Sequence, residues 1–376
     1  MVIVFLVIKG EKMKLLDLFS GIGGFHKGLE RAGFKFDWVG YSDIDKYAQQ
    51  VYQYNFKTAE RLGNVTTIQP RDLPEDITIL CGGFPCQAFS MAGKRKGFDD
   101  TRGTLFFEIA RILRYFRQLG KPIPYFILEN VKGLLNHDNG LTFNTIYRVL
   151  TNLDYTVECQ LLNTKWFLPQ NRERIYIVGH LGDKKSGSKI FPITESFQQS
   201  NKLRKRSSTD RHTGTLISSY ARIPSDGTYI ADYRNDEGLR VRKDNNAPCL
   251  MSSTTSETEP SRMGGLVIHS TQPRSGDPTK GGTGPLSRDD GNTYCIDTGN
   301  SQAVQIKSSI RRLTPLECER LQGFDDHWTM KGVDGDKVVD ISDSQRYKQC
   351  GNAVSVPVVE AVGLKIKETM KRENNE

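Results

Sequence analysis

Several common features are missing from this sequence, and each absence removes a class of protein. No apolar run in its 376 residues approaches the length of a membrane span, so no membrane-crossing helix is expected. The seven cysteines are an odd number, and none falls in the paired short spacings of a zinc site or a disulfide framework. They are expected to be reduced thiols in a cytosolic protein, with no metal bound. Charge of one sign is only mildly in excess, 52 Lys plus Arg against 44 Asp plus Glu for a formal +8. That balance is compatible with a polyanionic partner but does not demand one. The apolar opening, Met1 to Ile8, lacks a basic flank and an Ala-x-Ala cleavage site, so it does not read as a signal peptide. Residues 1–13 are expected to be an extension ahead of a usual start at Met13.

What is present begins with the compact apolar run Lys14 to Phe19, expected to be a central strand. Ser20-Gly-Ile-Gly-Gly24 then turns into a helix carrying Phe25, Leu29 and Ala32 and ended by Gly33. A strand, a glycine-rich turn and a helix let a cofactor approach the backbone closely. The spacing is Gly-x-Gly-Gly, not Gly-x-Gly-x-x-Gly, so a dinucleotide is not the natural occupant. The next strand, Trp38 to Ser42, ends at Asp43, a carboxylate suited to both hydroxyls of a ribose. The alternative is that Asp43 caps the helix Lys46 to Tyr54, a role for which Asp45 competes. Gly63-Asn64 marks a further short turn.

A short strand over Ile77 to Leu80 delivers Cys81-Gly-Gly-Phe-Pro-Cys86-Gln-Ala-Phe89, a tight loop with a thiol at its tip. A free cysteine is often a buried small hydrophobe, and the loop alone leaves that reading open beside a nucleophile. The polar, glycine-punctuated stretch that follows carries Lys94, Arg95 and Lys96, three consecutive cations suited to phosphate but also to plain solvation. Leu105 to Leu119 is an amphipathic core helix. Pro124 to Leu128 is a strand ending in Glu129-Asn130-Val131, and a partly buried glutamate there can present a proton. Phe143 to Leu153 is a helix, and Tyr155 to Leu162 and Arg174 to His180 are strands. Between those strands lie Arg172 and Arg174, able to clamp an anion.

Composition changes near Leu181. From there to about Ser309 the chain is basic at first, then rich in Gly, Ser, Thr, Asn and Asp, with short β-like runs and no convincing helix. Its aromatic and aliphatic residues exceed those of a linker, so a small, loop-rich β domain is expected. Helical signal returns with Thr314 as N-cap, Pro315 at the first position, Glu317 completing a capping box and Gly323 as C-cap. Gln349-Cys-Gly-Asn352 precedes a last helix, Val358 to Met370.

In this order the motifs resemble those of the DNA (cytosine-5) methyltransferase family of bacterial and phage restriction–modification type. The resemblance rests on Leu16 to Gly24, Gly82 to Ser90, Glu129-Asn-Val131, Gln170 to Arg174, Arg312 to Phe324 and Gln349 to Val354. It implies an α/β, Rossmann-like S-adenosylmethionine-dependent methyltransferase fold: a mixed, mostly parallel sheet with helices on both faces, plus a small loop-rich target-recognition domain. The implied division is a catalytic part of residues 14–181 plus 309–376 and a target-recognition part of residues 182–308.

Cys86 would attack C6 of a flipped-out cytosine, and Glu129 would hydrogen-bond N3 and the amino group. Arg172 and Arg174 would hold the base. Phe19, Gly21, Gly23, Asp43, Ile44, Asn64 and Asn352 would hold the cofactor, S-adenosylmethionine. Ser90, Lys94, Arg95, Lys96, Arg102 and Thr215 would contact DNA. At Asn64 the family usually has an acid, and an amide oxygen can accept the same hydrogen bond. The expected partner is double-stranded DNA, with no membrane, for a monomer in the cytoplasm near the nucleoid, encoded in some cases beside an endonuclease. An RNA (tRNA) cytosine-5 methyltransferase and a non-catalytic DNA-binding relative are the alternatives. The retained Cys86 and Glu129 argue against the second, and a long variable segment argues for DNA over RNA. Replacing Leu181 to Ser309 by a relative's segment is expected to change the methylated site, mapped by bisulfite sequencing, and not the chemistry.

Overall fold

The computed structural model describes residues 13–85, 105–181, 189–194, 232–234, 238–240, 267–270, 287–288, 292–299, 302–306 and 309–373. Its centre is a seven-stranded sheet built from β1 (Met13–Leu18), β2 (Phe36–Ser42), β3 (Glu60–Gly63), β4 (Ile79–Gly83), β5 (Tyr125–Val131), β6 (Thr156–Asn163) and β7 (Glu173–His180). The strand order is β3-β2-β1-β4-β5-β7-β6. Pairs from β3 across to β5 are parallel, while β7 runs antiparallel to both β5 and β6. The sheet is therefore mixed and mostly parallel.

Period-two alternation sends successive side chains to opposite faces. Leu15, Ile79, Ile127 and Val178 enter one core, and Leu16, Leu80, Phe126 and Ile177 the other. The first core is covered by α1 (Gly24–Arg31), α2 (Lys46–Asn55) and, from the far end of the chain, Val356 to Met370. The second is covered by α3 (Leu105–Gln118) and α4 (Leu141–Thr151). Two buried faces explain why the strands read as continuous apolar runs.

Beyond the sheet lie β8 (Asp232–Arg234), β9 (Gly238–Arg240), β10 (Val267–Ser270), β11 (Ser287–Arg288), β12 (Gln302–Ile306) and β13 (Ser309–Arg312). Four of them form a second sheet in the order β11-β10-β12-β13, antiparallel throughout. The β12–β13 pair straddles position 308/309. Residues 190–193 join the layers of the central sheet: Ile190, Phe191 and Ile193 are buried in its first core, and their N–H groups donate to Glu158 and Gln160 on β6.

The chain closes with α5 (Pro315–Gln322), the hairpin β14 (Lys331–Asp334) and β15 (Lys337–Asp340), α6 (Asp343–Asn352) and α7 (Val356–Glu373). The capping box of Thr314 and Glu317 forms, and Gly323 ends α5 with φ 81°. The hairpin was not anticipated, although its two-residue Gly335-Asp336 turn, with Gly335 at φ 62°, is a recognised signal. Gln349 to Asn352 precedes the last helix as expected, and it is itself the last turn of α6, a helix that was not anticipated. That polar helix has no side-chain N-cap and carries little apolar periodicity to announce it. Helix α7 packs on α1 where Gly28 has no side chain: a Cβ there would lie 2.6 Å from Val359 Cβ. The two ends of the sequence thus complete one core.

Gly179 on β7 tests that packing, because an added Cβ would overlap the Phe126 ring. Gly179→Ala is expected to lower unfolding free energy by about 1–3 kcal/mol in a denaturant titration.

Candidate active site

In an open α/β sheet, ligands bind beyond the carboxyl ends of the strands where strand order reverses. Here that switch lies between β1 and β4. The same edge receives the turn after β1, Asp43 and Ile44 after β2, Asn64 after β3, Phe84 and Pro85 after β4, and Glu129 near the end of β5. Because β7 runs the other way, Arg172 and Arg174 at its start reach this edge too; Arg174 pairs with Val131 and Leu162. Cys86, Ser90, Lys94, Arg95, Lys96, Arg102 and Thr215 lie outside the described residues.

The turn after β1 is held open for a ligand. Phe19 and Gly21 both have φ 53°, and nothing lies within 4 Å of a Cβ built on Gly21. Gly23, at φ 85°, packs so closely on Phe56 and Tyr52 that a Cβ would overlap the Phe56 ring. Asp43 Oδ2 accepts the N–H of Gly21 at 2.8 Å, and Oδ1 accepts that of Asp45 at 2.8 Å. Burial pushes its pKa up, against the pull of those N–H groups. The capping role falls to Asp45, which accepts from Tyr47 and Ala48 and ion-pairs with Lys348 of α6 at 2.6 Å. Asp43 is thus a tether for the glycine turn rather than a helix cap.

Ile44 beside it is 77% exposed, an apolar surface suited to the face of a planar ring. Ser20 Oγ is buried without a hydrogen bond. An open turn, a carboxylate, a bare apolar side chain and an orphaned hydroxyl together fit an adenosine-bearing cofactor. Asn64 is exposed, and its side-chain oxygen accepts from Thr66 N at 3.1 Å. Asn352 is exposed at the end of α6, one turn beyond Lys348.

Beneath the turn lies a buried polar set that sequence reasoning missed. Asp17, on β1, accepts from Tyr52 Oη at 3.2 Å and Cys81 Sγ at 3.3 Å. Burial raises its carboxyl to about 8, so it is mostly protonated at neutral pH.

Glu129 stands within β5, not beyond it, opposite Gly83 on one side and Tyr176 on the other. It is 8% exposed, and burial pushes its pKa up against the pull of Arg174 and then Arg172. Arg174 Nε lies 3.1 Å from Glu129 Oε1, yet the pair is not aligned as a hydrogen bond, leaving Oε1 a buried acceptor. The neighbouring Asn130 donates to Phe84 O at 2.7 Å and so anchors the chain that leads to Cys86. That contact was not foreseen, because nothing in the motif shows which way its amide points.

The two arginines do different things. Arg172 is 3% exposed and does not meet Glu129 directly. Its guanidinium donates to Ala353 O at 2.8 Å and Gly351 O at 3.1 Å, with Ile296 O at 3.5 Å and Cys295 Sγ at 3.3 Å. Two of those carbonyls lie at the C-terminal end of α6, where the helix dipole favours a cation. The expectation that Arg172 clamps an anion is therefore corrected: it clamps backbone, and Arg174 faces the acid. Gln170 and Gln322 extend the clamp, reaching Ile296 N, Leu321 O and Cys350 O.

An open glycine turn, the Asp43 carboxylate and the Glu129–Arg174 pair, gathered on one edge of a mixed, mostly parallel seven-stranded sheet, are consistent with the fold class of S-adenosylmethionine-dependent methyltransferases. The fold agrees with solved structures of Dnmt2 methyltransferase from S. pombe (TM-score 0.58, 18% identity, 95% of this chain and 99% of that one) and of Spodoptera frugiperda DNMT2 (TM-score 0.56, 19% identity, 96% and 100%). The family model for C-5 cytosine-specific DNA methylases matches residues 13–368. Relatives include the Type II methyltransferase M1.ScrFI of Lactococcus lactis subsp. cremoris, 38% identical over 97% of this chain and 80% of that protein. Another is M.HpaII of Haemophilus parainfluenzae, 36% identical over 96% and 90%. The chain belongs to the C-5 cytosine-specific DNA methylase family, and its methyl donor is S-adenosylmethionine.

Arg172→Lys is expected to cost about 2–3 kcal/mol of stability, because one ammonium cannot span both carbonyls of the clamp. Arg174→Lys should change stability by about 1 kcal/mol or less while lowering methyl transfer, and paired denaturation and activity assays separate the two.

Proposed function

We propose that this methylase acts on one cytosine within a short defined duplex site, through a covalent adduct to Cys86 with Glu129 as the acid. The observation that carries this reading is the buried Glu129–Arg174 pair at the strand edge where β4 leads towards Cys86. C5 of cytosine is too weak a nucleophile to take a methyl group unaided. Cys86, as thiolate, adds to C6 while Glu129 gives its proton to N3, and the C5=C6 electron pair becomes available at C5. The cofactor supplies an electrophilic methyl group at C5. A water molecule then takes the C5 proton, the C5–H electron pair restores the C5=C6 bond and expels the thiolate, and N3 returns its proton to Glu129.

Burial supports the proton-donor role, since it keeps the carboxyl protonated to higher pH than in water. Arg174 restrains that shift and orients the carboxyl, while Arg172 acts at one remove by fixing the start of β7. Asp43, Ile44, Phe19, Gly21 and Gly23 form the cofactor bed, with Asn64 and Asn352 at its rim.

The base must leave the stack to be reached, at a cost of a few kcal/mol, about what a buried pocket and phosphate contacts can offset. Ser90, Lys94, Arg95, Lys96, Arg102 and Thr215 are proposed to make such DNA contacts. The target is read by the segment within residues 182–308, and the protein works as a monomer. Pairing with an endonuclease, as the names of the Type II relatives suggest, is part of the same proposal. The family match favours DNA over RNA as substrate.

Bisulfite sequencing of DNA from a methylation-free host expressing the wild-type chain should reveal one modified cytosine in a constant context. Cys86→Ala and Cys86→Ser should leave that DNA unmodified while still binding S-adenosylmethionine, and Glu129→Gln should slow transfer by on the order of a hundredfold or more. A modified site in the Cys86→Ala strain would sink the covalent mechanism.

A further inference from the structure

Residues 293–296 follow the long segment that separates the motif blocks, yet they are bound to the same sheet edge. Thr293 N donates to Pro169 O at 2.8 Å, and Asn171 N donates to Thr293 O at 3.0 Å. Ile296 N donates to Gln170 Oε1 at 3.0 Å. Held between these contacts, Cys295 Sγ lies 3.3 Å from Arg172 Nη1 and 3.7 Å from Arg174 Nη2. The Arg174 guanidinium is thereby used at every nitrogen. Nη1 donates to Glu173 O at 2.8 Å, Nη2 points to Cys295, and Nε faces Glu129 at 3.1 Å. The acid itself shows the consequence: its Oε1 is buried and in reach of Arg174 but not tied up by it. A fork fixed at its far end can sit beside a carboxylate without capturing it.

We propose that Cys295 is a positioning residue for methyl transfer, its sulfur holding the Arg174 fork so that Nε faces Glu129 and tying the chain between the motif blocks to the catalytic acid. The proposal rests on Glu129 being that acid. Its alternative is that Cys295 only fills space. A sulfur acceptor is a weak one, so its effect is on the direction of the guanidinium rather than on stability. Released from it, Arg174 can swing away from the carboxyl, and a misplacement of about 1 Å at a reacting group costs up to about a hundredfold in rate.

The test compares Cys295→Val, close in volume without the acceptor, with Cys295→Ser, which keeps one. The pH dependence of kcat is the reading that space-filling would not move. Among the described residues, the charged or titratable groups that act on Glu129 are Arg174 and Tyr176 on β7 and Arg172 just ahead of that strand, while its pairing partner on β4 is Gly83. Of these, Arg174 is the largest influence holding the glutamate pKa down. With Arg174 loosened, Glu129 keeps its proton to higher pH, so the alkaline limb of kcat moves upward.

Expected for Cys295→Val is a kcat lower by on the order of tenfold, an unchanged KM for S-adenosylmethionine and that upward move, with Cys295→Ser close to wild type. If the valine protein does not bind S-adenosylmethionine, Cys295→Ala is read in its place. A valine or alanine variant with wild-type kcat and an unmoved limb overturns the proposal. So does a serine variant as impaired as valine. Glu129→Gln, assayed alongside, separates the failures: an active glutamine variant refutes the acid itself, whereas an inactive one beside a normal Cys295→Val refutes only the positioning role.

Discussion

The sheet edge depends on a buried guanidinium whose two terminal nitrogens are held by carbonyls. Arg172 enters a site where it is 3% exposed and finds its partners on Ala353 and Gly351. A cation taken out of water without partners is costly, so this arrangement persists only while the end of α6 stays in place. The dependence runs both ways, because without Arg172 the buried Gly351 carbonyl at the helix end loses its side-chain donor and Ala353 O keeps only Gln322, at 3.3 Å. Gln170, Gln322, Ser355 and Thr164 continue the same network through hydrogen bonds of 2.7 to 3.3 Å. Strand β7, helix α5 and the link to α7 are thereby fixed to one another.

With β7 fixed, the rest of the site follows. Arg174 lies two residues on, so it shares the face of the sheet on which Arg172 is anchored. Glu129, reaching the same edge from β5, meets a cation whose position is set from behind rather than by the carboxyl. That division leaves one buried oxygen of the carboxyl without a hydrogen bond, and an unpaired buried acceptor of this kind calls for a role other than stability. The glycine turn and Asp43 form the second half of the edge by similar means. The carboxylate spends its nearer hydrogen bonds on Gly21 and Asp45, so the bed is shaped before any cofactor arrives.

Much of this was legible in the chain itself. Alternating and continuous apolar runs located six of the seven strands of the central sheet to within a few residues, because both faces of the sheet are covered; β3, an edge strand with no buried residue, carried no such run. Thr314, Pro315, Glu317 and Gly323 announced their helix by capping chemistry that is local and therefore visible. Glycines at the turn after β1 and the acid near the end of β5 could be singled out for the same reason, since each motif carries its own local pattern. Helix α6 escaped because its residues are polar and its place is set by contacts such as Lys348 with Asp45, 303 positions apart.

The sequence by itself determined the class of fold, the order of the motifs and which side chains are chemically able to act, because propensity, periodicity and turn chemistry are properties of neighbouring residues. Tertiary structure alone decided how those side chains divide the work. Arg172 and Arg174 are two residues apart and chemically identical, and only the arrival of α6 on one and of Glu129 on the other separates a backbone clamp from a partner of the acid. Cys295 reaches both arginines from more than a hundred residues away. Local sequence carries no sign of such a contact, because it arises from pairing between residues 169–171 and 293–296 that only the folded chain brings together.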